Sequence, residues 1–187
     1  MSTPQQASKK FGIGAASALA AGGLVSLTMG VFGRIHQPVA QGITLGFGSV
    51  VEMKVWLAVV TGCFALIQLV TALWLYGKLG RPAPRRLGDV HRASGALAIL
   101  VSLPVAYDCL WSLGFASYDT RVLAHSILGC LVYGAFVTKI ITLHTRSAPG
   151  WLLPVAGGLL FTVLVSTVLT SAVWFLTVNG LPSSTGY

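Results

Sequence analysis

Five long apolar stretches set the main constraint on the fold, and they lie near residues 11–32, 55–77, 93–115, 122–143 and 151–178. Each reaches the length of about 20 residues that a helix needs to cross the hydrocarbon core of a bilayer. The chain is 55% hydrophobic and only 9% charged, which excludes an ordinary water-soluble globule. We therefore predict an all-α integral membrane bundle of five transmembrane helices over residues 11–178, with a polar N-terminus (1–10) and a short tail (179–187).

The positive charges are distributed unevenly between the loops. The sequence has 12 Lys and Arg residues against four Asp and Glu residues, a net charge of +8. With a cytoplasmic N-terminus, Arg34, Lys54 and Arg121 fall on the outer side. The other basic residues fall on the inner side: Lys9, Lys10, Lys78, Arg81, Arg85, Arg86, Arg92, Lys139 and Arg146. Because Lys and Arg favour cytoplasmic loops, the pattern predicts a multi-pass plasma membrane protein with its N-terminus in and its C-terminus out.

The loops and the first helix indicate which helices pack together and which segments meet lipid or a partner. The turn 116–119 is so short that we expect the third and fourth helices to form an antiparallel hairpin. The inner segment 78–92 is basic and Pro-interrupted, so we expect it to meet anionic lipid or a membrane protein partner. No basic stripe suited to nucleic acid is present, and the lipid bilayer is the expected partner. Gly14, Ala18 and Gly22 form a small-residue edge that permits close helix packing.

Motifs of soluble enzymes are absent from the sequence. It contains no P-loop, nucleophile elbow or zinc signature. Cys63, Cys109 and Cys130 lie inside apolar stretches without C-x-x-C spacing, which predicts packing residues and no disulfide framework. Enzymatic and non-enzymatic functions both stay open at this level.

Ionisable residues at membrane depth are the informative ones, because burying a charge in lipid is costly. Counted from the 116–119 turn at about 1.5 Å per residue, Asp108 and His125 lie at one level, roughly 13 Å down the expected hairpin. The same count places His91 and His144 together near the inner end, roughly 40 Å from the turn. We therefore predict an intramembrane polar pair, Asp108 with His125, and a second pair formed by the inner histidines.

A repeated H-x-x-x-G pattern suggests a cofactor. His91 precedes Gly95, and His125 precedes Gly129, by one helical turn. Each glycine leaves a notch beside an imidazole, which a flat macrocycle requires. The pattern predicts b-type haem, with His91 and His144 as metal ligands. The inner basic residues Arg92, Lys139 and Arg146 would then meet the haem propionates. The alternative is that the glycines only permit close packing while the histidines bond to carbonyls or lie at the interface.

The segment Asp89-Val-His-Arg-Ala-Ser-Gly-Ala-Leu-Ala, with Leu103-Pro-Val-Ala-Tyr-Asp-Cys-Leu-Trp and Asp119-Thr-Arg-Val-Leu-Ala-His-Ser-Ile-Leu-Gly, resembles a bacterial family of small five-span membrane proteins of unassigned function. The likeness covers helices three to five. A more distant similarity to b-type cytochrome and ferric-reductase-like bundles rests on His91, Arg92, Gly95, His125 and Gly129. Resemblance to those cytochromes implies haem held between transmembrane helices by paired histidines.

Two departures separate the chain from a standard di-haem bundle. His125 and His144 are about 28 Å apart along one helix and on different faces, so they do not suit two stacked haems. Asp108 carries a carboxylate, a poor ligand for low-spin haem iron. A second, outer haem would need His36 as a ligand, and without such a haem His36 is expected to be solvated. Two functions therefore compete: haem-based electron transfer, and an accessory or scaffold subunit without a cofactor.

Overall fold

The structure is a computed structural model that describes residues 4–39, 41–145 and 148–182, with side chains from residue 14 onward. The described residues form helices and loops without a β-strand. The helices are α1 (Pro4–Ile35), α2 (Val50–Leu75), α3 (Leu87–Tyr107), α4 (Thr120–His144), α5 (Leu152–Val168) and α6 (Trp174–Asn179). One π-helical turn, Asp108–Ser112, extends α3, and a second, Leu169–Val173, joins α5 to α6.

The five predicted stretches correspond to five helical segments that are long and apolar enough to cross a membrane. These are Gly14–Ile35, Val50–Leu75, Leu87–Ser112, Thr120–His144 and Leu152–Asn179. The prediction of an all-helical chain with five such segments is therefore confirmed. The predicted boundaries differ from the observed helix ends by a few residues, except at the N-terminus, where the helical backbone begins at Pro4, inside the segment predicted as a polar tail.

The start of α2 shows why its boundary was placed too late. Ser49 accepts a hydrogen bond from the backbone N–H of Glu52 at 3.1 Å, and the Glu52 carboxylate accepts one from the Gly48 N–H at 2.8 Å. This arrangement is close to a capping box, which satisfies backbone donors at a helix start. The charged residues of the first turn therefore belong to the helix and not to the loop before it.

Packing does not follow chain order. The main helix contacts join α1 to α4, α2 to α3, and α4 to α5, with α2 also touching α5. The helices α3 and α4 are successive and joined by a short connection, as expected for a hairpin, but they are not among the closely packed helix pairs of the described chain. The two helices are joined by a bridge in which the Tyr133 hydroxyl lies 2.9 Å from the Ser102 hydroxyl and donates to the Ser102 carbonyl at 3.2 Å. Each of these helices packs more closely on another partner.

Two glycines produce the close crossing of α1 and α4. A Cβ atom at Gly22 would overlap the Gly134 carbonyl and the Thr138 hydroxyl, and a Cβ at Gly134 would overlap the Gly22 carbonyl. Thr138 donates to the Ala18 carbonyl across the same crossing at 3.2 Å. Gly14, Ala18 and Gly22 are all buried, which confirms the predicted small-residue edge. In lipid, such backbone proximity is a principal source of helix association.

We expect Gly134→Ala to lower the thermal unfolding temperature of the purified protein by several degrees. The added methyl group meets backbone atoms that cannot move independently, and overpacking of this kind costs about 1–3 kcal/mol. Gly23→Ala is the matched control, because no described atom lies within 4 Å of its Cβ position. Equal unfolding temperatures for the two variants would show that the crossing is not tight.

Candidate functional site

A cavity of about 450 Å³ occupies the space left between α3 and α4. Its volume is in the range of small-molecule sites, roughly 300–1,000 Å³. The wall is mostly apolar and includes residues of α1, α2 and α5 as well as of α3 and α4. It extends from the segment 113–118 down to Ser102 and Tyr133. The cavity therefore lies in the half of the bundle away from the basic loop.

His125 and Gly129 both line this cavity from α4. No described atom lies within 4 Å of the position of a Cβ at Gly129, so the notch that the H-x-x-x-G pattern predicts is open here. The Nδ1 atom of His125 lies 3.2 Å from the Thr170 hydroxyl oxygen. The imidazole is thus oriented by the second π-turn while it forms part of the cavity wall.

The second π-turn positions a cation beside the cavity. Arg121 donates from Nη1 to the Thr170 carbonyl at 2.8 Å, and its guanidinium lies over the Trp174 ring, 3.6 Å from the centroid. A π-turn interrupts the regular helical hydrogen bonds and is frequent at functional sites. Thr170 therefore contacts two polar groups of this wall, His125 through its hydroxyl and Arg121 through its backbone.

Lys54 is a second cation on the cavity wall. It is half-buried, and its ammonium makes no hydrogen bond or ion pair with any residue that the structure describes. From the sequence, Lys54 and Arg121 were predicted only to lie at the outer end of the bundle. The structure adds that both line one mostly apolar cavity, where a negatively charged group would complement them.

Asp108 is completely buried at the start of the first π-turn. Its Oδ1 atom accepts from the Ile43 N–H at 2.9 Å and from the Ser112 hydroxyl at 3.4 Å, and Oδ2 has no partner among the described residues. Cys109 and Leu110 line the cavity, whereas Asp108 bonds to the α1–α2 loop. The predicted Asp108–His125 pair is not formed, because the two side chains bond to different elements.

His91 bonds to α2. Its Nδ1 atom lies 2.8 Å from the Thr71 hydroxyl oxygen, and its carbonyl accepts from the Gln68 amide. A Cβ at Gly95 would lie 3.0 Å from Gln68 Oε1, so Gln68 fills the notch that was predicted beside His91. Here Gly95 permits close packing, as the alternative interpretation of the pattern proposed.

The predicted partner of His91 makes a different contact. The Nδ1 atom of His144 lies 2.9 Å from the Ile140 carbonyl of its own helix, in an exposed position. Among the described residues, nothing brings His91 and His144 together as a ligand pair. Arg92 pairs with Asp89 on its own helix, Lys139 is half-buried on α4, and Arg146 lies outside the described residues.

His36 is not a solvated loop residue. Its ring stacks on Phe32 at 4.8 Å and lies 4.4 Å from the Trp111 ring, centroid to centroid. Its Nε2 atom is buried without a described partner. It does not line the cavity, so the structure does not place it beside His125 as a second ligand.

The cavity and both π-turns were not predicted from the sequence. Pro104 was a usable signal that this part of α3 is irregular, because it lacks the N–H that would bond to the Leu100 carbonyl in a regular helix. The hydroxyls of Thr167, Thr170 and Ser171 bond to carbonyls of their own helix around the second turn. Such bonds compete with regular helical geometry.

Comparison with known proteins identifies the family and no function. No curated protein and no solved structure matches the chain. The comparisons therefore give no support to the more distant cytochrome resemblance. The model of a family of unknown function, DUF6529, matches residues 15–183, which include all five segments that are long and apolar enough to cross a membrane, except the first residue of the first. The chain belongs to this family of unknown function.

Proposed function

We propose that the protein binds b-type haem in the cavity beside His125 and acts in membrane electron transfer. One observation carries the proposal: an imidazole on the wall of an apolar cavity of about 450 Å³, with an open notch one helical turn away. Haem would supply reversible one-electron chemistry at its iron. The chain's own contribution is to hold the ring, to orient the imidazole and to exclude water.

The residues around the cavity suit this group. A neutral imidazole is a common axial ligand, and the hydrogen bond at its other nitrogen sets its orientation. Thr170 provides such a contact to His125. Gly129 leaves the adjacent turn free of a side chain that would collide with a flat ring. Lys54 and Arg121 offer positive charge to carboxylates at the same wall.

The residues at the opposite end of the bundle do not suit haem in the way that the sequence predicted. His91 bonds to Thr71, Gln68 fills the Gly95 notch, and His144 bonds to its own helix. We therefore place the haem at His125 alone, in place of the His91–His144 pair.

We expect purified protein, produced with ample haem, to show a Soret band and reduced-minus-oxidised bands that are lost in His125→Ala. His91→Ala and His144→Ala should retain them, because these imidazoles do not line the cavity. Gly129→Leu should weaken haem binding by filling the notch, and Gly158→Leu on α5 is its control, since the Cβ positions of both glycines are free of described atoms within 4 Å. Folded wild-type protein without haem, or haem retained by His125→Ala, would overturn the proposal.

We further propose that the N-terminus is cytoplasmic and that the protein lies in the plasma membrane, which puts the cavity in the outer half. The support is that exposed basic residues gather in the loop between α2 and α3, namely Lys78, Arg81, Arg85 and Arg86.

Cysteine labelling tests this orientation. In a background without Cys63, Cys109 and Cys130, a membrane-impermeant maleimide should label Tyr118→Cys in intact cells and leave Leu79→Cys unlabelled until the membrane is opened. Both sites are exposed in loops at opposite ends of the bundle. The reverse labelling pattern would invert the proposed topology.

A second candidate function is that of an accessory subunit without a cofactor, whose basic loop binds anionic lipid. The observation in its favour is that the loop is held in place: the Trp74 indole N–H lies 3.1 Å from the Arg81 carbonyl and 3.2 Å from the Pro82 carbonyl. A fixed group of cations suits an anionic headgroup.

We expect the double variant Arg85→Gln/Arg86→Gln to retain less phosphatidylglycerol than wild type in native mass spectrometry. Arg34→Gln removes an exposed charge at the opposite end and should retain as much as wild type. Equal retention by all three proteins would exclude the loop as a lipid site. Loss of a co-purifying protein from the double variant, with unchanged lipid, would assign the loop to a protein partner.

A further inference from the structure

No Asp or Glu side chain of the described residues lines the cavity. Glu52 is engaged in the α2 cap, and Asp108 is bonded to the α1–α2 loop. Asp119 caps α4 through the Val122 N–H at 2.8 Å, and its other oxygen lies 4.0 Å from Arg121 Nη2 on the exposed side. Among the described residues no carboxylate pairs with Lys54, so the wall carries more positive than negative charge.

Arg121 is held in position more firmly than a surface arginine. One N–H donates to the Thr170 carbonyl, and the plane of the guanidinium rests on Trp174. A guanidinium has five N–H donors, and the Thr170 bond uses one of them. Stacking on an aromatic ring reduces the entropy lost when such a group binds an anion. The side chain is therefore pre-organised at the cavity.

Lys54 supplies a different kind of cation. Its ammonium is a compact charge on a flexible stem, with three donors and no described partner. Because the wall around it is mostly apolar, the ammonium has few protein groups to replace lost hydration. An anionic ligand group would provide both the charge and the hydrogen-bond acceptors.

We infer that Lys54 and Arg121 form an anion site that selects amphiphilic ligands bearing a carboxylate, with the apolar part of the ligand in the cavity. Two sources share this chemistry, a haem propionate and a fatty acid from the bilayer. The haem source rests on the proposed function, whereas the anion site itself rests only on the cavity and its two cations.

The test compares carboxylates with their esters. Protein produced without haem is placed in phosphatidylcholine nanodiscs and titrated with cis-parinaric acid or its methyl ester, using energy transfer from tryptophan. A parallel titration follows the Soret band with haem or haem dimethyl ester. Both are repeated with Lys54→Met, with Lys54→Arg, and with Arg34→Met as the control, since Arg34 is an exposed cation that does not line the cavity.

We expect Lys54→Met to weaken binding of the carboxylate about tenfold, the size of one charge-assisted hydrogen bond. Lys54→Arg should restore it, Arg34→Met should leave it unchanged, and the esters should bind weakly to every protein. Equal affinities for the acid and the ester, or an affinity for the acid that Lys54→Met leaves unchanged, would overturn the inference.

The fatty acid titration and the haem titration test the inference and the proposed function separately. Fatty acid binding that depends on Lys54, without haem binding, would uphold the anion site and refute the haem proposal. Haem binding that depends on His125 but is the same for haem and its dimethyl ester would refute the anion site and uphold the haem proposal.

Discussion

The arrangement of this bundle depends on which helices approach closely, and small residues decide that. In lipid, apolar side chains gain little by leaving hydrocarbon for a helix interface, so backbone proximity and polar contacts select the partners. Gly22 and Gly134 bring α1 against α4, and Gln68 joins α2 to α3 by reaching the backbone of His91 and the Ser94 hydroxyl. With each helix engaged elsewhere, α3 and α4 stay apart. The cavity is the space that these two contacts leave.

Polar side chains inside the bundle act as hydrogen-bond partners, because backbone N–H and C=O groups that are removed from water must bond to other protein groups. Where the helices depart from regular geometry, side chains and loops provide partners. The Thr170 carbonyl receives the Arg121 guanidinium, and the Asp108 carboxylate receives the Ile43 N–H of the α1–α2 loop. The first of these contacts puts a cation at the cavity. The second attaches the α1–α2 loop to the helix that carries the other π-turn.

The existence of the helices was predictable, whereas the contacts between them were not. Length and hydropathy determine a spanning helix almost alone, so all five segments were found from the sequence. Residue counting placed His91 level with His144, yet the level along a helix says nothing about which neighbour the side chain faces. The hydrogen bond from Gln68 determines which helix lies against His91, and no periodic pattern in the sequence marks Gln68 as a contact residue. The notch at Gly129 was found because it needs only local spacing; its counterpart at Gly95 depended on a residue from another helix.

The hydrogen-bonded bridge between Tyr133 and Ser102 determines which part of the bundle a ligand in the cavity can contact. Both residues line the deep end of the cavity, and their hydrogen bonds join the two walls there. The bridge therefore marks the limit of the cavity on the side of the basic loop. An occupant of the cavity therefore touches this bridge and none of the cations of the basic loop between α2 and α3.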